Sequence, residues 1–312
     1  MIMMEQEIVV SIYVVTYNQE KYLRNCLDGI VMQQTNFKFE AIVIDDASTD
    51  ENPEIIKEYA ERYPEIIKPV LLEENLWSQG INKFFAVFLP RAKGKYIAFC
   101  EGDDYWTFEG KLQRQVDFLE KHPDYSMCFH NHIVQNETES QYGYRGLIKS
   151  RDAEVEDLIL CQVAQEATVL SRRTSIENDK KLKDDILSKK FQFSDIRFYL
   201  SYIHTGKVYG IAEKWSVYRV HDKGVSTVLR NKNQLKSNHK NIIRALSQCY
   251  NGKYKRLCDQ LVMRDKLSVS YRLMKRKKLV KSILFQIEAF KISPYSFIRL
   301  YFSLLRTRKC LD

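Results

Sequence analysis

The sequence predicts an α/β fold: a mixed, mostly parallel sheet flanked by helices, with a helical, basic C-terminal extension. Two patterns carry this expectation. In the first half, short apolar and β-branched runs alternate with segments whose apolar residues recur every three or four positions, as in strand–helix–strand units. From Arg230 onward, 21 Lys and Arg face 4 Asp and Glu, a net of +17, whereas residues 1–229 carry 28 against 36, a net of −8. The expected organisation is therefore an α/β domain over residues 1–228 and a basic helical region over 229–312. With 312 residues, 45% of them hydrophobic and 12% aromatic, the chain can bury a full core.

The elements follow in order. IVVSIYVV (8–15) is a continuous apolar run, as expected of a strand covered on both faces. Asn18 stands where an N-cap would, before a helix carrying Leu23, Cys26, Leu27, Ile30 and Val31. FEAIVI (39–44) is a second strand running into DDASTDENPE, where Pro53 suits the first turn of a helix. KPVLL (68–72) reads as a third strand, INKFFAVFL (81–89) as a helix and KYIAFC (95–100) as a fourth strand. KLQRQVDFLEKH (111–122) is a helix and DYSMCFHN (124–131) a strand. Residues 140–180 read as loops with short elements. FQFSDIRFYLSYIHTG (191–206) is a helix with Ser194 as candidate N-cap, and KVYGIAEKWSVYRVH (207–221) one or two strands. LVKSILFQIEAF (279–290) and YSFIRLYFSLLR (295–306) are amphipathic pieces around Pro294.

Ligands of open α/β sheets bind beyond the carboxyl ends of the strands. Three polar clusters fall there: Thr16-Tyr17-Asn18, Asp45-Asp46 and Asp103-Asp104. Neither a dinucleotide-binding G-x-G-x-x-G nor a phosphate loop ending in G-K-[ST] is present, which argues against a dehydrogenase or a P-loop phosphotransferase. A nucleotide held without a glycine cradle needs another partner for its phosphates, and Mg²⁺ or Mn²⁺ on one or two carboxylates supplies it. Two adjacent aspartates repel unless a positive charge joins them, so Asp103-Asp104 fits a metal that arrives with its nucleotide.

The ordered set VSIYVVTYNQEKYLRNCLDGIVMQQ, FEAIVIDDASTDEN and KGKYIAFCEGDDYW closely resembles the N-terminal half of the family 2 glycosyltransferases, which have the GT-A fold and include bacterial polysaccharide and cell-surface sugar transferases. FSDIRFYLSYIHTG and YRVHDKGVS resemble the family's later segments, so the likeness spans roughly residues 7–228. The resemblance implies that Thr16 and Tyr17, with Asn18 beside them, line the nucleobase pocket and that Asp46, or Asp45, accepts a hydrogen bond from the base. It implies that Asp103 meets the ribose or the metal, that Asp104 ligates Mn²⁺ or Mg²⁺, and that Asp195 is the general base. His221, with Arg219, would reach the diphosphate or metal from the far side. Two departures stand out: Ser194 precedes Asp195 where Glu is frequent, and Ala47 stands where Gly is usual.

The chemistry needs such a set. A metal neutralises charge on a departing nucleoside diphosphate, and a carboxylate takes the acceptor hydroxyl's proton. With one base and no carboxylate nucleophile, transfer inverts the anomeric carbon. The expected function is a metal-dependent transfer from a nucleotide-diphosphate sugar, a UDP-sugar first among them, to a saccharide or lipid-linked acceptor. The alternative is a metal-dependent nucleotide-binding or nucleotidyl-transferring protein on a similar scaffold. Other roles fit some of these residues equally: Asp195 can offset a helix dipole, Asp184 and Asp185 are rival bases, and Trp106 either stacks on an acceptor sugar or packs beneath its loop.

The seven scattered cysteines, without a CxxC pair, read as reduced thiols of a cytoplasmic protein. Neither a secretory signal nor an apolar run of membrane-spanning length is apparent. The basic tail carries no nucleic-acid-binding motif, so nucleic acid is not an expected partner. Its amphipathic, Lys- and Arg-rich pieces suit the surface of an anionic membrane on the cytoplasmic side.

Overall fold

The computed structural model describes residues 7–137, 141–179, 182, 184, 195–224, 227–228, 243, 246, 252–275, 277–294 and 297–298. The chain divides into two compact units, Met1–Asn231 and Lys232–Asp312.

The first unit is built on a ten-stranded sheet in the spatial order β3-β2-β1-β4-β9-β6-β10-β5, with β7 paired to β6 and β8 to β10. Its leading half is parallel: β1 (Ile8–Thr16) lies between β2 (Lys38–Asp45) and β4 (Tyr96–Glu101), and β3 (Ile67–Leu71) extends β2. Helices α1 (Glu20–Val31), α2 (Asn52–Arg62) and α3 (Lys111–Lys121) connect or follow these strands. Val10, Ile12 and Val14 of β1 join Leu23, Cys26, Leu27 and Ile30 of α1 in the core, which is why the apolar residues of α1 recur every three or four positions. Pro53 sits in the first turn of α2.

The second half of the sheet is less regular. β5 (Tyr105–Trp106), β6 (Tyr125–Asn136), β7 (Gln141–Arg145), β8 (Arg151–Asp152), β9 (Leu170–Arg172) and β10 (Lys207–Val220) complete it. β9 runs antiparallel between β4 and β6, and β10 runs parallel to β6 with several register shifts. Two helices, α4 (Thr174–Glu177) and α5 (Asp195–Thr205), belong to this half.

Several expectations change here. The predicted helix 81–89 is a single π-helical turn, Phe84–Phe88, whose aromatic rings pack against Tyr13 and Phe198. The strand expected to stop near residue 131 continues to Asn136. Residues 140–180, read as loops with short elements, hold β7, β8 and β9; β9 sits in the middle of the sheet yet leaves no mark on the sequence, being three residues long with one aliphatic side chain. Asn18 does not cap α1: its φ is 51°, Gln19 occupies the cap position, and Asn18 Oδ1 instead accepts from Thr49 N at 2.8 Å. Ser194 lies outside the described residues.

In the second unit, α6 (Lys255–Lys275) and α7 (Leu279–Ile292) pack against each other. Among the described residues, no helix is long and apolar enough to cross a membrane.

Candidate functional site

The parallel register places the carboxyl ends of three strands side by side, with Thr16 opposite Asp45 and Val15 opposite Glu101. The polar residues that follow each strand therefore converge on one edge of the sheet.

After β1 and β2 most of these groups serve each other. Thr16 Oγ1 donates to Gln19 Oε1 and accepts from Asn52 Nδ2 at 2.8 Å. Asp45, 1% exposed, accepts from Ser48 N at 2.8 Å and Ser48 Oγ at 2.6 Å, the geometry of an Asx-turn. Asp46, also 1% exposed, accepts from Leu76 N, Trp77 N and Lys83 Nζ, the last at 2.7 Å. Both aspartates are thus buried and tied into the turn, with at least one hydrogen bond on each oxygen of Asp46. What faces solvent here is aromatic, Tyr17 and Trp77. Trp77 was not foreseen, because nothing in ENLWSQG marks it until Asp46 fixes its backbone.

After β4 the two aspartates part company. Asp104 is fully buried; its Oδ1 accepts from Arg219 N at 2.9 Å and its Oδ2 from Gln165 Nε2 at 2.6 Å. Burial and the neighbouring Asp103 raise its pKa well above the ordinary carboxylate range. Asp103 is partly exposed, and its Oδ2 lies 3.0 Å from His221 Nε2. Arg219 braces this arrangement: its guanidinium donates to Asp103 O at 3.0 Å and Asn25 Oδ1 at 2.8 Å, and it sits over the rings of Tyr22 and Tyr105. Gly102 is required between Glu101 and Asp103, since a Cβ there would lie 2.6 Å from Thr16 Oγ1 and Gln19 Oε1.

A second carboxyl group of residues gathers around Asp195, the first residue of α5. Asp195 and Glu166 line one small cavity with Phe99, Val169, Phe198, Tyr199 and Tyr202. Glu166 begins the 3-10 turn Glu166–Thr168, and Glu101 ends β4. All three carboxyls are pushed above their ordinary range. Burial dominates each, with mutual repulsion adding for Glu101 and Glu166, and Glu166 reaches about 8. Glu101 and Glu166 were not singled out in the sequence: Glu166 lies in the stretch read as loop, and Glu101 was overshadowed by the aspartate pair. Gln165 links the two regions, holding Asp104 with its amide nitrogen while its carbonyl oxygen caps the 3-10 turn at Ala167 N.

Other candidates are set apart. Asp184 is exposed, and Asp185 lies outside the described residues. Trp106 is 2% exposed, donates to Ala167 O and carries Lys111 Nζ over its ring at 4.1 Å, so it packs beneath the loop.

Fit to a divalent ion can be judged from the donors. Two ligands in adjacent positions of a regular octahedron, each about 2.1 Å from Mg²⁺, stand about 3 Å apart; Asp103 Oδ2 and His221 Nε2 stand 3.0 Å apart. No group of three His, Cys, Asp or Glu able to hold a metal occurs among the described residues. The pair suits an ion that takes its remaining ligands from phosphate and water. Asp104, expected to be a ligand, is fully buried here, with one hydrogen bond on each oxygen.

A mostly parallel sheet with carboxylates at its carboxyl edge and no glycine-rich phosphate loop defines a GT-A scaffold. The family model "Glycosyl transferase family 2" matches residues 11–179, and the chain belongs to that family. An uncharacterized Mycobacterium tuberculosis protein, Rv1520, is 38% identical over 218 residues, which are 69% of this chain and 60% of that one. The chain thus spans about 60% of that relative's length. Two solved structures share the fold. Staphylococcus aureus TarS in complex with UDP has a TM-score of 0.58 at 19% identity, covering 81% of this chain and 69% of that one. The mannosyltransferase PcManGT of Pyrobaculum calidifontis, in complex with GDP-Man and Mn²⁺, has a TM-score of 0.53 at 16% identity, covering 99% and 84%.

Proposed function

We propose that the protein is an inverting, metal-dependent glycosyltransferase that moves a sugar from a nucleotide-diphosphate donor to a hydroxyl of a saccharide or lipid-linked saccharide. The observation that carries this reading is the presence of two distinct polar groups: the Asp103–His221 pair after β4 and β10, and the Asp195 carboxyl at the start of α5, beside Glu166 in a small cavity. The neighbours with bound UDP or GDP-Man and Mn²⁺ support the donor class.

In this reading Asp103 and His221 would hold Mn²⁺ or Mg²⁺, and the chemistry such an ion would supply is neutralisation of charge on the leaving diphosphate. Arg219 positions Asp103 through its backbone oxygen, and Gln165 and Arg219 N lock the Asp104 turn. Tyr17 and Trp77 offer exposed rings to a nucleobase, with UDP the first candidate. Asp195 takes the acceptor hydroxyl's proton. The protein would act in the cytoplasm, at the inner face of the membrane, in polysaccharide assembly for the cell envelope.

The test is sugar-dependent release of nucleoside diphosphate, preceded by thermal-shift titration with UDP, GDP, TDP and CDP with and without Mn²⁺. Stabilisation by one diphosphate only in the presence of metal is expected; indifference to all of them would sink the reading. Asp195→Asn should lower transfer by about 10²–10⁴-fold, the usual weight of a general base, with donor binding unchanged. Because the base must be ionised and its pKa is raised by burial, the wild-type rate should climb with pH through a range above the ordinary carboxylate value. A rate that is flat from pH 5 upward would remove Asp195 from this role.

A further inference from the structure

Helix α7 is packed on one side and open on the other. Its packed side is small and polar. Ser282 Oγ lies 2.8 Å from Ser270 Oγ on α6, Gln286 Nε2 donates to Ser270 Oγ at 3.0 Å, and Ala289 is buried with Met263 and Leu267. Its open side carries Leu279, Val280, Ile283, Leu284 and Ile287, between 46% and 75% exposed, and at its end Phe290, 44% exposed, with its ring edge-on to Phe297. The spacing of these six residues follows the helical repeat, so they form one stripe.

A stripe of this size left in water is unfavourable and marks an interaction surface. The charges around it say of what kind. Lys277, Lys278, Lys281 and Lys291 flank it, all exposed. The one acidic residue of α7, Glu288, is paired with Lys266 on α6. A second copy docking by two-fold symmetry would bring like lysine rims face to face. An anionic bilayer matches both parts: the aliphatic and aromatic side chains enter the acyl boundary, and the ammonium groups meet headgroup phosphates.

We propose that the open face of α7 is a docking surface for anionic lipid, with its apolar stripe inserted at the bilayer interface and its lysines on the headgroups. It holds the protein on a membrane without crossing it. This inference stands apart from the transferase reading, because it uses no residue of the sheet-edge site.

The experiment is vesicle flotation of the full chain, without donor or metal, using phosphatidylcholine vesicles with and without 30% phosphatidylglycerol. Wild type should float with the anionic vesicles, at least 10-fold more weakly with neutral ones, and detach as salt rises. Val280→Asp with Ile283→Asp should abolish flotation. Lys277→Glu with Lys278→Glu and Lys281→Glu should weaken it by about 100-fold or more, given the attraction of each basic residue to an anionic surface. All five positions are exposed, so melting temperature and donor-induced thermal shift should match wild type. Equal binding to neutral vesicles, no flotation, or flotation that survives Val280→Asp with Ile283→Asp would overturn the proposal. So would a sedimentation dimer that these two substitutions dissociate, which would make the face a contact between copies.

Discussion

Asp45-Asp46 and Asp103-Asp104 are two aspartate pairs at the carboxyl ends of β2 and β4, the parallel strands on either side of β1, yet the fold uses them differently. Both members of the first pair are buried and hydrogen-bonded into the turn, Asp46 with a buried lysine at 2.7 Å. The second pair is divided: Asp104 is spent on Arg219 N and Gln165, while Asp103 keeps an exposed edge beside His221. A carboxylate at the right strand end is therefore only a candidate. What would make it a ligand, as proposed for Asp103, is an accessible oxygen and a second donor arriving from elsewhere in the chain.

That contrast can be broken experimentally. The largest effect is expected from Asp103→Ala, which should cost several kcal/mol of leaving-group stabilisation and lower transfer by about 10³–10⁴-fold, with melting temperature nearly unchanged. Full metal-dependent donor binding in that variant would return the metal to Asp104. Asp46→Ala comes next. It strands Lys83 in a buried site and should destabilise the fold by about 3–5 kcal/mol, read by urea denaturation. A loss below 1 kcal/mol would show the pair to be solvated. Asp104→Asn should lower stability by about 1–3 kcal/mol, because a new amide must face Gln165 or Arg219 N, while metal affinity changes little. A metal affinity lost in proportion to transfer would contradict the division drawn above. The smallest effect belongs to the turn that follows the first pair: Ala47 has a φ of 61°. A left-handed Ala costs about 1–2 kcal/mol, part of which glycine returns as chain entropy. Ala47→Gly should therefore raise the melting temperature slightly, and a fall would mean that the turn tolerates alanine without strain.

Much of this site was legible in the sequence. The strand runs, the polar clusters at their ends and the Tyr-Arg-x-His segment all lie within stretches whose local pattern is strong, and Asp103, Asp195, Arg219 and His221 come from those stretches. What was not legible shares a cause. Asp103 and Asp104 are adjacent and chemically identical, so nothing local says which faces outward. Glu166 and the short strand Leu170–Arg172 lie where no periodicity can develop over three residues. Trp77 gains its place only because Asp46 binds its backbone.

The sequence by itself determined the α/β class, the order of its leading strands and helices, the family, and the charge contrast between an acidic body and a basic tail. These follow from hydrophobic period and residue type, which are properties of neighbours along the chain. Only the tertiary structure decided which carboxylates are free. Asp103 meets His221 across 118 residues, and Asp104 is closed by Arg219 and Gln165 from two different segments. Burial and hydrogen-bond occupancy are set by those long-range approaches, so one of two identical side chains is buried as a brace and the other keeps an accessible edge, which is why it is the proposed ligand.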